Sequence, residues 1–277
     1  MLTFKLQSPL LVAQEEVRLQ TVDFWSTDSL ELFEKNTINR PANWQWHNTP
    51  VTYKWNSLGY RTKEIKDLDK DFVLTFGCSY TEGIGINASD IWNHHVSKSL
   101  GLDLCNLAKG GTGFQQQYYN SLLWHNSKLQ LPKLVIVQWP QKYRKSFGVT
   151  DAVGDILIRD ANGGHTGIDY KWYARRYIRD EGERKLNNFV EFEMFNNIWK
   201  MLNVPVLNFT WDDDTEEDLT KSAYKIWHLE METNVLNDRA RDVGADGSPG
   251  HNGPLYHIET SYKLCSILKS GNFTYKI

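Results

Sequence analysis

A chain of 277 residues with 40% hydrophobic and 23% charged residues has the make-up of a folded globular protein and the length to bury a large core. A net charge of -3 offers no broad basic field for a polyphosphate backbone, which argues against nucleic acid as partner, and three cysteines without C-x-x-C spacing argue against a disulfide scaffold or a structural zinc site. "MLTFKLQSPLLVAQEE" does not read as a signal peptide and no apolar run approaches about 18 residues, so the expectation is a cytoplasmic protein with no membrane span.

The first 67 residues are irregular, and "WSTDSLELFEKN" reads as a helix capped at Ser26 or Thr27. We expect residues 1–67 to form an extension packed on a main domain at 68–277. Four short apolar runs then read as buried parallel strands: Phe72 to Phe76, Leu104 to Leu107, Leu134 to Trp139 and Val204 to Phe209. Between the first two, "SDIWNHHVSKSLG" reads as a helix capped by Ser89 and stopped by Gly101, with Ile91, His95, Val96 and Leu100 on one face. A second helix runs from Phe114 to Leu129. Strands alternating with helices imply an α/β fold with a parallel sheet and right-handed crossovers.

Residues at about 142–185 break the rhythm and read as an insertion, with "DANGGHTG" a loop and "YKWYARRYIRDEGERK" a charged aromatic helix. The latter is expected to be an amphipathic helix or a lid whose Trp172 and Tyr173 face substrate. Leu186, Phe189, Val190, Phe192, Phe195, Ile198, Trp199 and Leu202 then mark an amphipathic helix leading into the fourth strand. "WDDDTEED" lacks the glycine and terminal glutamate of a calcium loop and reads as an acidic loop capping the next helix. The histidines form no metal set. Eleven tryptophans beside 12 Phe and 13 Tyr belong mostly to the core, and are compatible with stacking on a carbohydrate ligand.

The first strand ends in "GCSYTEG", which puts the Ser79 hydroxyl just beyond the carboxyl edge of the sheet, where open α/β proteins form their ligand crevice. Serine is a weak nucleophile until a histidine, oriented by a carboxylate, takes its proton. "ADGSPGHNGPLYH" places Asp246 ahead of His251 on a Gly/Pro-rich loop, a better base than His94 or His95 on a helix. Asp242, in "ARD", competes for the carboxylate role, and Asp246 is favoured because it is nearer.

These residues resemble the blocks of the SGNH/GDSL hydrolases. "GCSYTEG" is similar to their Gly-Asp-Ser-x-Thr-x-Gly, with Cys78 for the usual Asp; "NLAKGG" resembles the second block, and "HNGPLYH" the His-bearing last block. "NSLGYR" resembles a segment found upstream of the serine in members with an amino-terminal extension. The resemblance spans about Asn56 to Leu268. It implies a flavodoxin-like three-layer α/β/α sandwich with a mainly parallel sheet, and a serine esterase acting through an acyl-enzyme without cofactor or metal. Ser79 would be the nucleophile, His251 the base, Asp246 its orienting acid, and the backbone N–H groups of Ser79 and Gly111 the oxyanion hole; His257 would lie on the helix behind. The expected substrate is a small-molecule or carbohydrate ester.

The chain departs from the pattern in three ways. The family separates its Asp and His by two residues, fewer than lie between Asp246 and His251. The third block's asparagine, a side-chain oxyanion donor, is absent from "VQWPQKYR", where Gln138 or Gln141 could supply an amide. Losing one such donor costs about 2.7 to 4 kcal/mol in the rate-limiting barrier, so a catalytically weak or inactive binding protein on the same scaffold is the competing expectation. Cys78, the third departure, reads as a small buried hydrophobe and not as a nucleophile.

Overall fold

The structure is a computed structural model and describes residues 8–150, 156–161, 181–229, 238–245 and 250–271. Its first part is built from short pieces. Strand β1 (Thr21–Val22) pairs antiparallel with β2 (Tyr53–Lys54), and helix α1 (Leu30–Asn39) lies between them in sequence. The cap of α1 is Ser29, whose side chain accepts from the Leu32 N–H at 3.2 Å, and not Ser26 or Thr27. Ser26 has a left-handed φ of 58° and bends the chain ahead of the helix, while Thr27 turns its hydroxyl to Asp242 instead.

The main sheet consists of β3 (Phe72–Phe76), β4 (Asp103–Asn106), β5 (Leu134–Gln138), and two later strands, β8 (Val206–Thr210) and β9 (Trp227–His228). They lie in the order β4-β3-β5-β8-β9 with every neighbouring pair parallel, the order of a flavodoxin-like doubly wound sheet. All residues of β3, β5 and β8 are buried, which is why the sequence shows unbroken apolar runs there in place of alternation. The two-residue β9 is too short to leave such a signal.

Helices cover both faces. Phe72, Leu74 and Phe76 point into one apolar cluster with Phe114 and Trp124 of α4 (Phe114–Asn126) and Phe192, Phe195 and Trp199 of α5 (Glu181–Met201). Val73 and Ile136 point the other way, into a cluster with Trp92 and Val96 of α3 (Trp92–Leu100) and Leu264 of α7 (Pro254–Ser270). The result is the expected α/β/α sandwich. The amino-terminal part enters both layers, with Leu10, Val12 and Tyr60 in the first cluster and Trp46, Tyr53 and Trp55 in the second.

Several local expectations change. Ser89 sits in a single 3-10 turn (Ala88–Asp90) with its hydroxyl toward Asp90, and α3 starts later, at Trp92, without a side-chain cap. On α3, Leu100 is exposed and Trp92 and Asn93 are buried in its stead; on α5, Leu186 and Val190 are exposed and Asn188 is buried. Helix faces read from hydrophobicity alone miss amides that take up neighbouring carbonyls: Asn188 donates to the Lys142 carbonyl at 3.0 Å. Within the stretch expected to be an insertion, β6 (Lys145–Thr150) pairs antiparallel with β7 (Ile156–Ala161), so Asp160 and Ala161 belong to a strand and not to a loop. Trp172 and Tyr173 fall outside the described residues. Asp212 caps α6 (Asp213–Leu219) by accepting from the Thr215 N–H at 3.0 Å, as the acidic loop suggested. Among the described residues no helix is long and apolar enough to cross a membrane.

Candidate active site

Ser79 is the first residue of a four-residue helix, α2 (Ser79–Glu82), separated from the end of β3 by Gly77 and Cys78. β3 lies between β4 and β5, so this turn opens at the point where the strand order reverses, the crevice position of such sheets. Cys78 is buried and extended, and Ser79 is 9% exposed, at the floor of the surface. The turn is braced from several sides. Thr81 donates its hydroxyl to Gln138, and the Thr81 carbonyl accepts from Asn106 Nδ2 at 2.9 Å and Asn93 Nδ2 at 3.2 Å. Asn106, the asparagine of "NLAKGG", also accepts the Ala108 N–H at 3.1 Å, so one side chain ties the serine turn to the glycine loop beside it.

That loop hangs on the Gly77 carbonyl, which accepts from the Lys109 N–H and the Thr112 hydroxyl, each at 3.3 Å. Gly110 passes so close to Ser79 that a Cβ on it would come within 3.5 Å of the Ser79 Cβ, and Gly111 follows in the left-handed region at φ 80°. The Gly110 N–H donates to the Glu82 carboxylate, which also receives Gln14 Nε2 at 2.6 Å. Gln138 is fully buried, with Oε1 on the Thr81 hydroxyl and Nε2 on the Cys78 sulfur at 3.8 Å, and Gln141 is exposed. Gln138 thus supports the turn from inside the sheet edge.

His251 comes from the loop before α7. Its Nδ1 lies 2.6 Å from Asp242 Oδ2, and its backbone N–H donates to Asp242 Oδ1 at 3.0 Å. An imidazole nitrogen bonds one partner in its ring plane, and Asp242 fills that place. Asp246 lies outside the described residues. Burial alone would raise the Asp242 pKa, but the bonds and charge of His251 and the Thr27 hydroxyl at 2.6 Å hold it below the usual carboxylate range. The pair sits beside the serine turn: the His251 ring packs edge-on against Tyr80, the residue after Ser79, with centroids 4.7 Å apart. Tyr80 also meets Trp211, just past β8, at 4.5 Å, so aromatic rings wall the crevice.

Asp242, which lies further from His251 in sequence than Asp246 does, comes level with it because the Ala240 N–H donates to the His251 carbonyl at 3.1 Å. The carboxylate loop is held by the amino-terminal part. Asn36 donates to the Val243 carbonyl at 2.9 Å and accepts the Ala245 N–H at 2.8 Å; Trp46 donates to the Arg239 carbonyl at 2.9 Å. Arg241 forms a fork with Asp28 at 2.8 and 2.7 Å, and Asp28 accepts the Tyr53 hydroxyl at 2.6 Å. Arg61 of "NSLGYR" donates to the carbonyls of Gly83 at 2.5 Å, Thr52 at 2.7 Å and Ile86 at 2.9 Å, fixing the chain that leaves α2. His257 is buried in α7 and accepts the Trp92 N–H at 3.3 Å, a structural position apart from His251's. Among the described residues no group of His, Cys, Asp and Glu could hold a metal ion.

No family model and no curated protein matches the chain. Among solved structures it is similar to a carbohydrate esterase with divergent catalytic and non-catalytic binding functions, at 10% identity over 73% of this chain and 65% of that one, TM-score 0.46. It is similar also to an acetyl xylan esterase from the rumen bacterium Butyrivibrio proteoclasticus, at 14% identity over 74% and 64% of the two chains, TM-score 0.42. A psychrotrophic esterase from Pseudoalteromonas sp. is a third, at 9% identity over 73% and 98%, TM-score 0.41. The chain spans a little under two thirds of the length of the first two.

Proposed function

We propose that the protein is a serine esterase of the SGNH/GDSL type, with Ser79, His251 and Asp242 as its triad. The observation that carries this is the 2.6 Å contact between His251 Nδ1 and Asp242, made on a ring that packs against the neighbour of Ser79. With Nδ1 held, Nε2 is the nitrogen left to act as base. Ser79 Oγ attacks the ester carbonyl as its proton passes to His251 Nε2. The oxyanion is received by the backbone N–H groups of Ser79 and Gly111. Collapse expels the alcohol, protonated by His251, and leaves an acyl-serine. Water, deprotonated by the same nitrogen, then releases the carboxylic acid and restores Ser79.

The Tyr80 and Trp211 rings favour an acyl or acetyl ester on a sugar, because the flat face of a pyranose presents C–H groups to aromatic rings. A second reading, a weak or inactive binding protein, draws on Gln138: its amide is engaged by Thr81 and Cys78, so a third oxyanion donor is not supplied from there. A fluorophosphonate probe decides between them. Labelling confined to Ser79, abolished in Ser79→Ala and slowed about 10⁴-fold in Asp242→Asn but unchanged in Asp246→Asn, is the expected outcome. Absence of label on folded wild-type protein favours the binding reading, and a loss on Asp246→Asn alone overturns the choice of acid.

A further inference from the structure

Glu82 closes the short helix that Ser79 opens, and it is wholly buried. Its two oxygens are divided: Oε1 accepts from Gln14 Nε2 at 2.6 Å, and Oε2 accepts from the Gly110 N–H. A buried carboxyl is an expensive way to close a turn, since removing it from water costs several kcal/mol by order of magnitude. Burial pushes its pKa up, and the Gln14 bond, Lys109, the Gly110 N–H and Arg61 pull it back. Two consecutive glycines, Gly110 and Gly111, give the neighbouring loop the freest backbone a chain can have. An N–H that must face a developing oxyanion does so best when its peptide is fixed beforehand.

We infer that Glu82 is a positioning residue for the oxyanion loop, anchoring the Gly110 peptide so that the next N–H, Gly111's, is held beside Ser79, and that Gln14 fixes Glu82 from the amino-terminal segment. Gln14 is itself seated by the "NSLGYR" turn, where the neighbouring Ala13 N–H donates to the Leu58 carbonyl at 2.9 Å. Residues far ahead of the serine thereby belong to its catalytic unit. The inference rests on the roles proposed for Ser79 and Gly111, and it names a function for a carboxyl that takes no part in the triad.

Glu82→Gln keeps size but replaces the carboxylate that accepts the Gly110 N–H by an amide, which can turn either its oxygen or its NH2 to Gly110 because Gln14 can both donate and accept; adding Gln14→Glu, an acceptor, holds that NH2 at position 14 and so leaves the carbonyl for Gly110. On the full chain with 4-nitrophenyl acetate, Glu82→Gln is expected to lower kcat about 30-fold with KM within about twofold, and the double variant to recover to within about fivefold of wild type. Amide exchange at Gly110 and Gly111, followed by NMR, should accelerate in Glu82→Gln and slow again in the double variant. Unchanged kcat in a Glu82→Gln protein of wild-type melting temperature overturns the inference. So does unchanged exchange at the two glycines. If wild type neither hydrolyses the ester nor takes the fluorophosphonate label, the esterase reading fails, and the glycine exchange alone then upholds or overturns the anchoring. Should Glu82→Gln fail to fold, Gln14→Ala takes its place: faster glycine exchange supports the anchoring, and wild-type exchange sinks it.

Discussion

His257, the second histidine of "HNGPLYH", serves the fold as a hydrogen-bond acceptor. It is fully buried in α7, and its Nδ1 accepts the Trp92 N–H at 3.3 Å, an arrangement that requires the neutral ring. Burial first, and then the charges of His251 and His95, push its pKa down to about 3. The unfolded chain's ring takes up a proton near pH 6.5 and the folded one does not, so protons favour the unfolded state between about pH 6.5 and pH 3. This contribution to stability is complete above about pH 6.5 and shrinks as pH falls. At pH 5 it should be smaller by about 2 kcal/mol, the 1.5-unit gap at 1.36 kcal/mol per unit. His257→Asn offers an oxygen near the Nδ1 position and does not titrate. Denaturant midpoints at pH 8 and pH 5 should therefore separate less in His257→Asn than in wild type; equal separations would show that His257 is not the acid-sensitive group.

At the scale of elements, the site is made by docking one loop on another. The segment leaving α2 meets the Asp242 loop at Gly85, whose carbonyl accepts the Arg241 N–H at 2.9 Å and whose N–H donates to the Tyr53 hydroxyl at 2.8 Å. Gly85 has φ 76°, and a Cβ there would lie 2.8 Å from the Ala240 Cβ and 2.9 Å from Asp242 Oδ1. A side chain would face both backbone strain and the very carboxylate that holds His251. Gly85→Ala should lower stability by about 1 to 3 kcal/mol, and the label rate at Ser79 should fall by more than the unfolded fraction accounts for. A variant that loses stability but labels at the wild-type rate per folded molecule would mean that the Asp242 loop is placed independently of this contact.

For the whole molecule, the parts readable in advance are those set by local chemistry. β3 runs over Phe72–Phe76 as its apolar run dictates, and "GCSYTEG" and the His251 loop are recognisable as residue patterns. The contact of Asp242 with His251 is not, because it depends on the pairing of Ala240 with His251 and on Thr27, Asn36 and Trp46 receiving the Asp242 segment. The β6–β7 pair is equally silent, since its strands form a two-stranded ribbon outside the main sheet and lack long apolar runs. The same long-range dependence bears on the expected division at residue 67. Leu10, Val12, Leu58 and Tyr60 belong to one core layer, and Val17, Trp46, Val51, Tyr53 and Trp55 to the other. Each such side chain contributes about 1.5 to 3 kcal/mol when buried, and the nine together, about 14 to 27 kcal/mol, match or exceed the roughly 5 to 15 kcal/mol by which a whole domain is stable. Residues 68–277 expressed alone should therefore lack fixed packing. The expected signs are helical far-UV circular dichroism with weak near-UV signal and rapid proteolysis, reversed by adding residues 1–67 as a separate chain. A cooperative melt for 68–277 by itself would instead make the amino-terminal part a true appendage.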